Sequence, residues 1–253
     1  MRPTAYFHGQ PGAPLELGLL PPLPADLFAP DRNRDRSELS AERYYDHLAQ
    51  EIRRRWPDGG LRLVGFSIGA FVACEVALRL SDRDLALDLI SPAAPLGLGD
   101  FLPQMAGGPV FRLARDNAMA FRVLTWAQGL VARGAPDLLL DQLFASAAGE
   151  DAGLARSAEF RRILTSAMNQ SLGQGAVGYR RDLRAYVRTP PDRFAGLGAP
   201  MTLWHGSADT WAPLGMSQAL AAQDPGRRQV RVLTGQSHYS TLIAAAGELF
   251  AAP

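Results

Sequence analysis

The sequence contains no lysine, and all 26 of its basic residues are arginine. Pyridoxal-phosphate enzymes, other Schiff-base enzymes, P-loop NTPases and protein kinases each need a lysine at the reacting site. The absence of lysine therefore excludes these four classes of enzyme before any motif is considered.

Cysteine, net charge and long apolar runs are also scarce. Cys74 is the single cysteine, so no internal disulfide can form, and its apolar neighbours predict a buried thiol. The formal net charge of +1 gives no reason to expect nucleic acid as a partner. No apolar run reaches the roughly 18 residues of a membrane span, and the N-terminus has no pattern of a signal peptide. We therefore expect a cytoplasmic protein.

What the sequence does contain is enough apolar material, 47% of 253 residues, for one large domain or a domain with an insertion. Short apolar runs predict strands at residues 4–8, 26–30, 61–64, 85–90, 201–205 and 229–234. Helix-like segments separate most of them, and Ser40 is the predicted N-cap of the first helix. This alternation predicts an α/β fold, with a mostly parallel sheet covered by helices on both faces.

Between residues 91 and 199 the alternation of strands and helices stops. Prolines open and close this segment, and its apolar residues recur in helix-like patterns without a strand candidate of comparable strength. We expect a helical cap at residues 91–199, carried on an α/β core formed by residues 1–90 and 200–253.

The sequence Gly65-Phe66-Ser67-Ile68-Gly69 lies between a predicted strand and a predicted buried helix. The two glycines allow a very sharp turn, which would hold the serine clear of the sheet. The first turn of the helix offers free N–H groups that favour a negative charge, such as an oxyanion. This context favours a nucleophilic serine over the alternative, a structural turn that happens to contain serine.

A serine hydroxyl needs a base to accept its proton and a third group to orient that base. The chain has four histidines: His8, His47, His205 and His238. His8 and His205 each end a predicted strand and are expected to be structural, whereas His47 lies among charged residues of a surface helix. His238 follows the last predicted strand, and we predict that it is the base.

The acid that orients the base is predicted to be Asp209, in the loop after the preceding strand. An aspartate in a turn often serves only as a cap. However, the order Ser67, Asp209, His238 is the nucleophile–acid–base order of hydrolases with this type of turn. Asp100 is the alternative acid.

Four motifs in this order resemble those of the α/β-hydrolase superfamily: His8-Gly9-Gln10-Pro11-Gly12, Gly65-Phe66-Ser67-Ile68-Gly69, His205-Gly206-Ser207-Ala208-Asp209 and Ser237-His238. With the strands between them, they cover nearly all of the chain outside residues 91–199. The resemblance implies an oxyanion hole formed by the backbone N–H groups of Gln10 and Ile68.

The chain departs from the family pattern at two places. Only seven residues precede His8, so we expect a shortened sheet of about six strands. The exposed sheet edge would be covered or would pair with another subunit, which makes a homodimer one expectation. The loop at residues 31–37 lacks the R-G-x-G-x-S form common in the family, and this affects the mouth of the site rather than the triad.

The resemblance implies a serine hydrolase that needs neither a metal nor an organic cofactor. Its substrate would be a small carboxylic ester, lactone or thioester with an apolar acyl part, cleaved through an acyl-enzyme. The residues expected to line the acyl pocket are Phe101, Met105, Trp126 and Trp211. Acyl transfer, C–C bond hydrolysis and peptide cleavage by the same triad are alternatives. A small-molecule binding or receptor protein on this fold is the alternative from another functional class.

Overall fold

A computed structural model describes residues 2–34 and 38–251 of the chain. Its centre is a sheet of five parallel strands: β1 (Thr4–Phe7), β2 (Leu61–Phe66), β3 (Leu85–Ile90), β4 (Met201–Gly206) and β5 (Arg228–Leu233). The strands lie side by side in chain order, and each neighbouring pair is parallel. The predicted α/β class with a parallel sheet is confirmed.

The segment predicted as a strand at residues 26–30 contributes only a single bridge. Phe28 pairs with β1 through two backbone hydrogen bonds, from Tyr6 N to Phe28 O (2.8 Å) and from Phe28 N to Thr4 O (2.9 Å). Pro30 occupies the next ladder position and has no N–H to donate, and on the other side Leu27 N donates to Pro24 O (3.1 Å) in a turn instead of continuing the strand. The described sheet therefore has five strands rather than the predicted six, and Phe28 covers part of its edge.

Four helices flank the sheet outside residues 91–199: α1 (Ala41–Arg55), α2 (Ile68–Arg79), α9 (Leu214–Ala222) and α10 (His238–Leu249). Helix α1 begins where predicted, because the Ser40 side chain accepts a hydrogen bond from Arg43 N. Helix α2 is buried along most of its length, since it lies between the sheet and two other helices. Its one buried acid, Glu75, forms ion pairs with Arg79 and Arg193 at 2.8 Å each.

Residues 91–199 are all described, and they form helices and turns without a strand. The α-helices are α3 (Gly108–Asp116), α4 (Ala118–Gly134), α5 (Pro136–Leu143), α6 (Asp151–Leu154), α7 (Ala158–Met168) and α8 (Val177–Tyr186). A π-helical turn, Asn169–Gly173, continues α7 and contacts α4. The last helix, α8, contacts α1 and α2, so this helical segment joins the layer of helices over the sheet.

Candidate active site

Ser67 lies at the junction between β2 and α2, in a backbone conformation that is rare for any residue with a side chain. Its φ is 55° and its ψ is −123°. A Cβ atom on Gly69 would lie 2.0 Å from the carbonyl oxygen of Phe7, and one on Gly65 would lie 2.5 Å from Ala70 Cα. Both glycines are therefore required by close packing, and the serine is held on a sharp strand-to-helix turn.

His238 and Asp209 come together across the carboxyl end of the sheet. His238 Nδ1 lies 2.8 Å from Asp209 Oδ2, and both residues are buried. The other carboxylate oxygen of Asp209 accepts hydrogen bonds from Trp211 N (2.9 Å) and Ala212 N (3.0 Å). Burial raises the pKa of Asp209, but the charge and hydrogen bond of His238 outweigh it, so the pKa lies below its usual value. Asp209 is therefore a turn cap and a histidine partner at once.

Aromatic rings hold the imidazole of His238 in place. The ring of Phe66 lies 4.8 Å from it, and the indole of Trp211 stacks on it at 5.7 Å with an interplanar angle of 16°. Within the described chain, no hydrogen bond joins the Ser67 hydroxyl to His238. Such contacts are often long in unliganded sites and tighten when substrate binds.

Two backbone N–H groups lie beside the serine. Gln10, in the loop after β1, and Ile68, the first residue of α2, line the same cavity as Ser67. Within the described chain, neither N–H group donates a hydrogen bond to a protein acceptor. Free N–H groups at a helix N-terminus and in a neighbouring loop are suited to stabilising a developing oxyanion.

The cavity in front of Ser67 has a free volume of about 60 Å³. Most of its wall comes from apolar residues of the helical segment 91–199. The lining residues are Gln10, Pro11, Ser67, Ile68, Ala93, Met105, Gly107, Val110, Phe111, Gln128, Leu139, Leu143, Leu172, Tyr179, Leu183, Trp211 and Ala212. Of the four residues predicted to line an acyl pocket, Met105 and Trp211 line this cavity.

The other two predicted lining residues lie elsewhere. The ring of Phe101 packs over Gly99, where a Cβ atom would lie 2.7 Å from it, and near Gly215 of α9. Trp126 is 63% exposed, because the buried side of α4 carries Phe121 and Ala132 instead. Apolar character alone does not reveal which side of a helix faces the cavity, so both assignments were wrong.

The alternative acid, Asp100, is exposed in a turn, where its backbone oxygen accepts a hydrogen bond from Gln104. Among the described residues it forms no ion pair with His238. Asp209 is thus the carboxylate that contacts the imidazole.

Comparison with solved structures shows which known proteins share this fold. An esterase from Thermogutta terrifontis superimposes with a TM-score of 0.64 at 16% sequence identity, over 98% of this chain and 88% of the esterase. A bromoperoxidase from Bacillus anthracis superimposes with a TM-score of 0.65 at 14% sequence identity, over 96% of this chain and 87% of the bromoperoxidase. An N-acyl homoserine lactone degrading enzyme superimposes with a TM-score of 0.58 at 19% sequence identity, over 96% of this chain and 88% of that enzyme. The chain therefore has the α/β-hydrolase fold.

Sequence comparisons add one local match. The family model described as "Thioesterase domain" matches residues 27–91, which include the Ser67 turn. No curated protein matches the sequence. The α/β-hydrolase fold is therefore recognised from the whole chain, whereas the thioesterase likeness covers about a quarter of it.

A second buried carboxylate, Glu16, supports the loop after β1 that carries Gln10, and it was not predicted. Glu16 Oε1 accepts hydrogen bonds from Gly9 N (2.9 Å) and from the Tyr6 hydroxyl (2.6 Å). Burial raises the pKa of Glu16 to about 7, although both hydrogen bonds and the charge of Arg32 oppose this shift. The available signal was that Glu16 is the single charged residue between Gly9 and Asp26.

Asp151 also escaped prediction. It belongs to α6, yet its carboxylate accepts hydrogen bonds from Tyr239 N (2.9 Å) and Ser240 N (2.7 Å) in the first turn of α10. Helix α10 begins at His238, so Asp151 fixes the start of the helix that carries the imidazole. Because the partners are 88 and 89 positions apart, no local pattern reveals this cap.

The remaining strand-end histidines are structural, as predicted. Burial lowers the pKa of His205, which bonds to Ser217 Oγ (2.7 Å) and to the Ala212 carbonyl (2.8 Å). Burial also lowers the pKa of His8, whose Nδ1 donates to the Gly9 carbonyl at 2.7 Å. Both imidazoles therefore remain neutral near pH 7.

Two further searches cover only the described part of the chain. In residues 2–34 and 38–251, no group of three or more His, Cys, Asp or Glu side chains is arranged to hold a metal ion. No helix in those residues is both long and apolar enough to cross a membrane.

Proposed function

We propose that this chain is a serine hydrolase that cleaves a carboxylic ester or thioester with a short acyl part. One observation carries the proposal. A histidine bonded to a buried aspartate, His238 to Asp209 at 2.8 Å, lies at the end of the sheet where Ser67 occupies a strained turn. Strained residues persist where the surrounding structure over-determines them, and they cluster at sites of function.

In the proposed reaction, His238 takes the proton of Ser67 as the hydroxyl oxygen attacks the acyl carbonyl. Asp209 holds Nδ1 of the imidazole, so the other ring nitrogen is free to act as the base. The negative oxygen of the tetrahedral intermediate is stabilised by the N–H groups of Gln10 and Ile68. The protonated His238 then gives this proton to the leaving oxygen or sulfur as the bond to the acyl carbon breaks, and the neutral imidazole next activates the water that hydrolyses the acyl-enzyme.

Glu16 contributes by holding the loop that carries one oxyanion donor. Its hydrogen bond to Gly9 N fixes the peptide next to Gln10. An oxyanion donor stabilises charge best when its position is set before the reaction begins. We therefore assign Glu16 a positioning role rather than a chemical one.

The cavity supports a small acyl group. Its free volume of about 60 Å³ corresponds to the space of only a few water molecules. Residues 91–199 supply most of its wall, which supports the proposed cap on a core of residues 1–90 and 200–253. The match of a thioesterase model to the segment containing Ser67 favours including thioesters beside oxygen esters.

Labelling with a fluorophosphonate probe tests the nucleophile directly. We expect the wild-type chain to be labelled and Ser67→Ala to be neither labelled nor active on p-nitrophenyl acetate. Ser166→Ala, a change on the exposed side of α7, is the matched control and retains both properties. Labelling or hydrolysis by Ser67→Ala would rule out the proposed nucleophile, and an unlabelled wild type would favour the binding-protein alternative.

To separate the substrate classes, hydrolysis is measured for esters, lactones and acyl thioesters whose acyl chains have two to eight carbons. The proposal expects the highest kcat/KM among the shortest chains. A steady rise towards eight carbons would contradict the small acyl site.

A further inference from the structure

The wall of the acyl cavity contains two polar side chains away from the nucleophile, Gln128 on α4 and Tyr179 on α8. Most of the other lining residues contributed by the helical segment are apolar. Buried polar groups in proteins are almost always hydrogen-bonded, so each unpaired one calls for an explanation.

Tyr179 is 4% exposed, and among the described residues no hydrogen bond is found for its hydroxyl, whose oxygen is not fully buried and so retains some accessible surface. Burial raises the pKa of this phenol, so it stays protonated near neutral pH and presents an O–H donor. The ring itself packs against Phe121, with 5.9 Å between the ring centres. The aromatic part of Tyr179 is thus fixed, while its polar end is unpaired at the cavity wall.

Gln128 presents the complementary group. Its side-chain oxygen Oε1 is buried and has no hydrogen-bond partner among the described residues. A buried acceptor that leaves water without gaining a partner destabilises the folded protein. Gln128 and Tyr179 therefore offer one acceptor and one donor to whatever occupies the cavity.

We propose that the acyl part of the substrate carries a hydroxyl group, which binds between Tyr179 and Gln128. A hydroxyl can accept from the phenol and donate to the amide oxygen at the same time. An unsubstituted alkyl chain would leave both protein groups unpaired, and a carbonyl would satisfy only the phenol. This inference deepens the proposed function, because it names a short hydroxyacyl ester or thioester as the substrate class.

Matched ester pairs test the inference with the full chain. The p-nitrophenyl esters of butyrate and of 2-, 3- and 4-hydroxybutyrate differ by one hydroxyl, and the three isomers sample its position. We expect wild type to prefer one hydroxy ester over butyrate by at least about tenfold in kcat/KM, since sites built to bond a hydroxyl reject analogues that lack it.

The variants Gln128→Leu and Tyr179→Phe should each reduce that preference by about tenfold. Trp126→Leu is the matched control, because it changes the exposed side of the same helix and should keep the wild-type ratio. Thermal unfolding of each variant verifies that it is folded. Wild type without a preference for any isomer, or a preference that survives in both cavity variants, would overturn the inference.

Binding of non-hydrolysable amides separates this inference from the proposed activity. Isothermal titration with butyramide and with the preferred hydroxybutyramide, or with all three isomers if no ester is hydrolysed, needs no working triad. Tighter binding of a hydroxyamide that is lost in Gln128→Leu supports the hydroxyl site even if Ser67 proves inactive. Equal affinity for all four amides overturns it even if esters are cleaved.

Discussion

A small cavity and an open groove, here called the two hollows, adjoin different faces of helix α8. They differ in volume, in exposure to solvent and in the charge of the residues that line them. Tyr179 and Leu183 line the small cavity of about 60 Å³ in front of Ser67. Arg180, Arg184 and Arg188, one turn apart, line an open groove of about 620 Å³ that α8 forms with α1 and α2. Ser67 lines the smaller cavity and not the larger groove.

The difference indicates which kind of surroundings makes polar groups reactive in this fold. Arginines on an open groove are hydrated, and their interactions are screened by salt. In the small cavity, by contrast, polar groups lie in an apolar wall where each hydrogen bond is worth more and each unpaired group costs more. The strained backbone of Ser67 and the buried pair of His238 and Asp209, rather than volume or charge, distinguish the candidate site, and paired substitutions at the site and in the groove test this.

The largest difference is expected from removing one carboxylate charge at the candidate site, behind the small cavity, and one in the groove. Asp209→Asn should lower kcat by about 10⁴-fold, because an asparagine at this position favours the wrong tautomer of His238. The matched change in the groove, Glu42→Gln, should leave kcat within about twofold. Steady-state hydrolysis of p-nitrophenyl acetate measures both. Near-normal activity of Asp209→Asn would move the acid to another residue, with Asp100 tested next.

Glu16 should make stability depend on pH. Its pKa is about 7 in the folded chain and near 4.5 when unfolded, so the folded state holds the proton more tightly. The stabilisation is complete below about pH 4.5 and is lost, at about 1.4 kcal/mol per pH unit, as pH rises to about 7. Glu16→Gln lacks this loss, so its free energy of unfolding should rise relative to wild type across that window. Urea unfolding from pH 4.5 to 8 measures this difference.

The groove residue Glu42 again provides the control for the pH experiment. Its side chain is 68% exposed, so the free energy of unfolding of Glu42→Gln should change between pH 4.5 and 7 in the same way as that of wild type. If the free energy of unfolding of Glu16→Gln also followed that of wild type across this pH range, Glu16 would not be held as a buried acid.

Asp151→Ala should destabilise the chain by about 1–3 kcal/mol, because it leaves two backbone N–H groups buried without an acceptor. It should also lower kcat, since the first turn of α10 carries His238. Unfolding in urea and ester hydrolysis together measure the two effects. A variant with reduced stability but unchanged kcat would show that the cap supports the helix without positioning the imidazole.

The smallest effect is expected from neutralising the groove itself. Arg184→Gln combined with Arg188→Gln should change the kcat/KM for p-nitrophenyl acetate by less than about twofold, because exposed charges away from a neutral substrate contribute little. A tenfold decrease in this double variant would show that the groove and the cavity act as one site, and would break the comparison.

The sequence sufficed for those parts of the site that are specified locally. Gly65 and Gly69 are needed for close packing around Ser67, so the turn can be recognised from five adjacent residues. Four histidines in the chain made the choice of His238 largely one of elimination. The parallel sheet followed from the alternation of strand and helix patterns, which is a property of the chain itself.

The parts that sequence reasoning missed depend on packing between distant segments. Trp126 and Phe101 are apolar, but which side of a helix or turn faces the cavity is decided by its neighbours in space. Glu16 and Asp151 are recognised as supports only when their backbone partners are known. The strand predicted around Phe28 is a single bridge, because Pro30 cannot donate to the ladder and a turn from Pro24 to Leu27 precedes it.

The hydrogen bonds from the first turn of α10 to Asp151 limit how residues 91–199 can be replaced. Segments inserted between strands are commonly treated as exchangeable parts that alter substrate choice while the catalytic core stays constant. Here residues 91–199 supply Asp151, which caps the helix that carries His238, the proposed general base. A chimera that replaces residues 91–199 must therefore bring its own acceptor for these two N–H groups, or it will exchange specificity at the expense of the reaction itself.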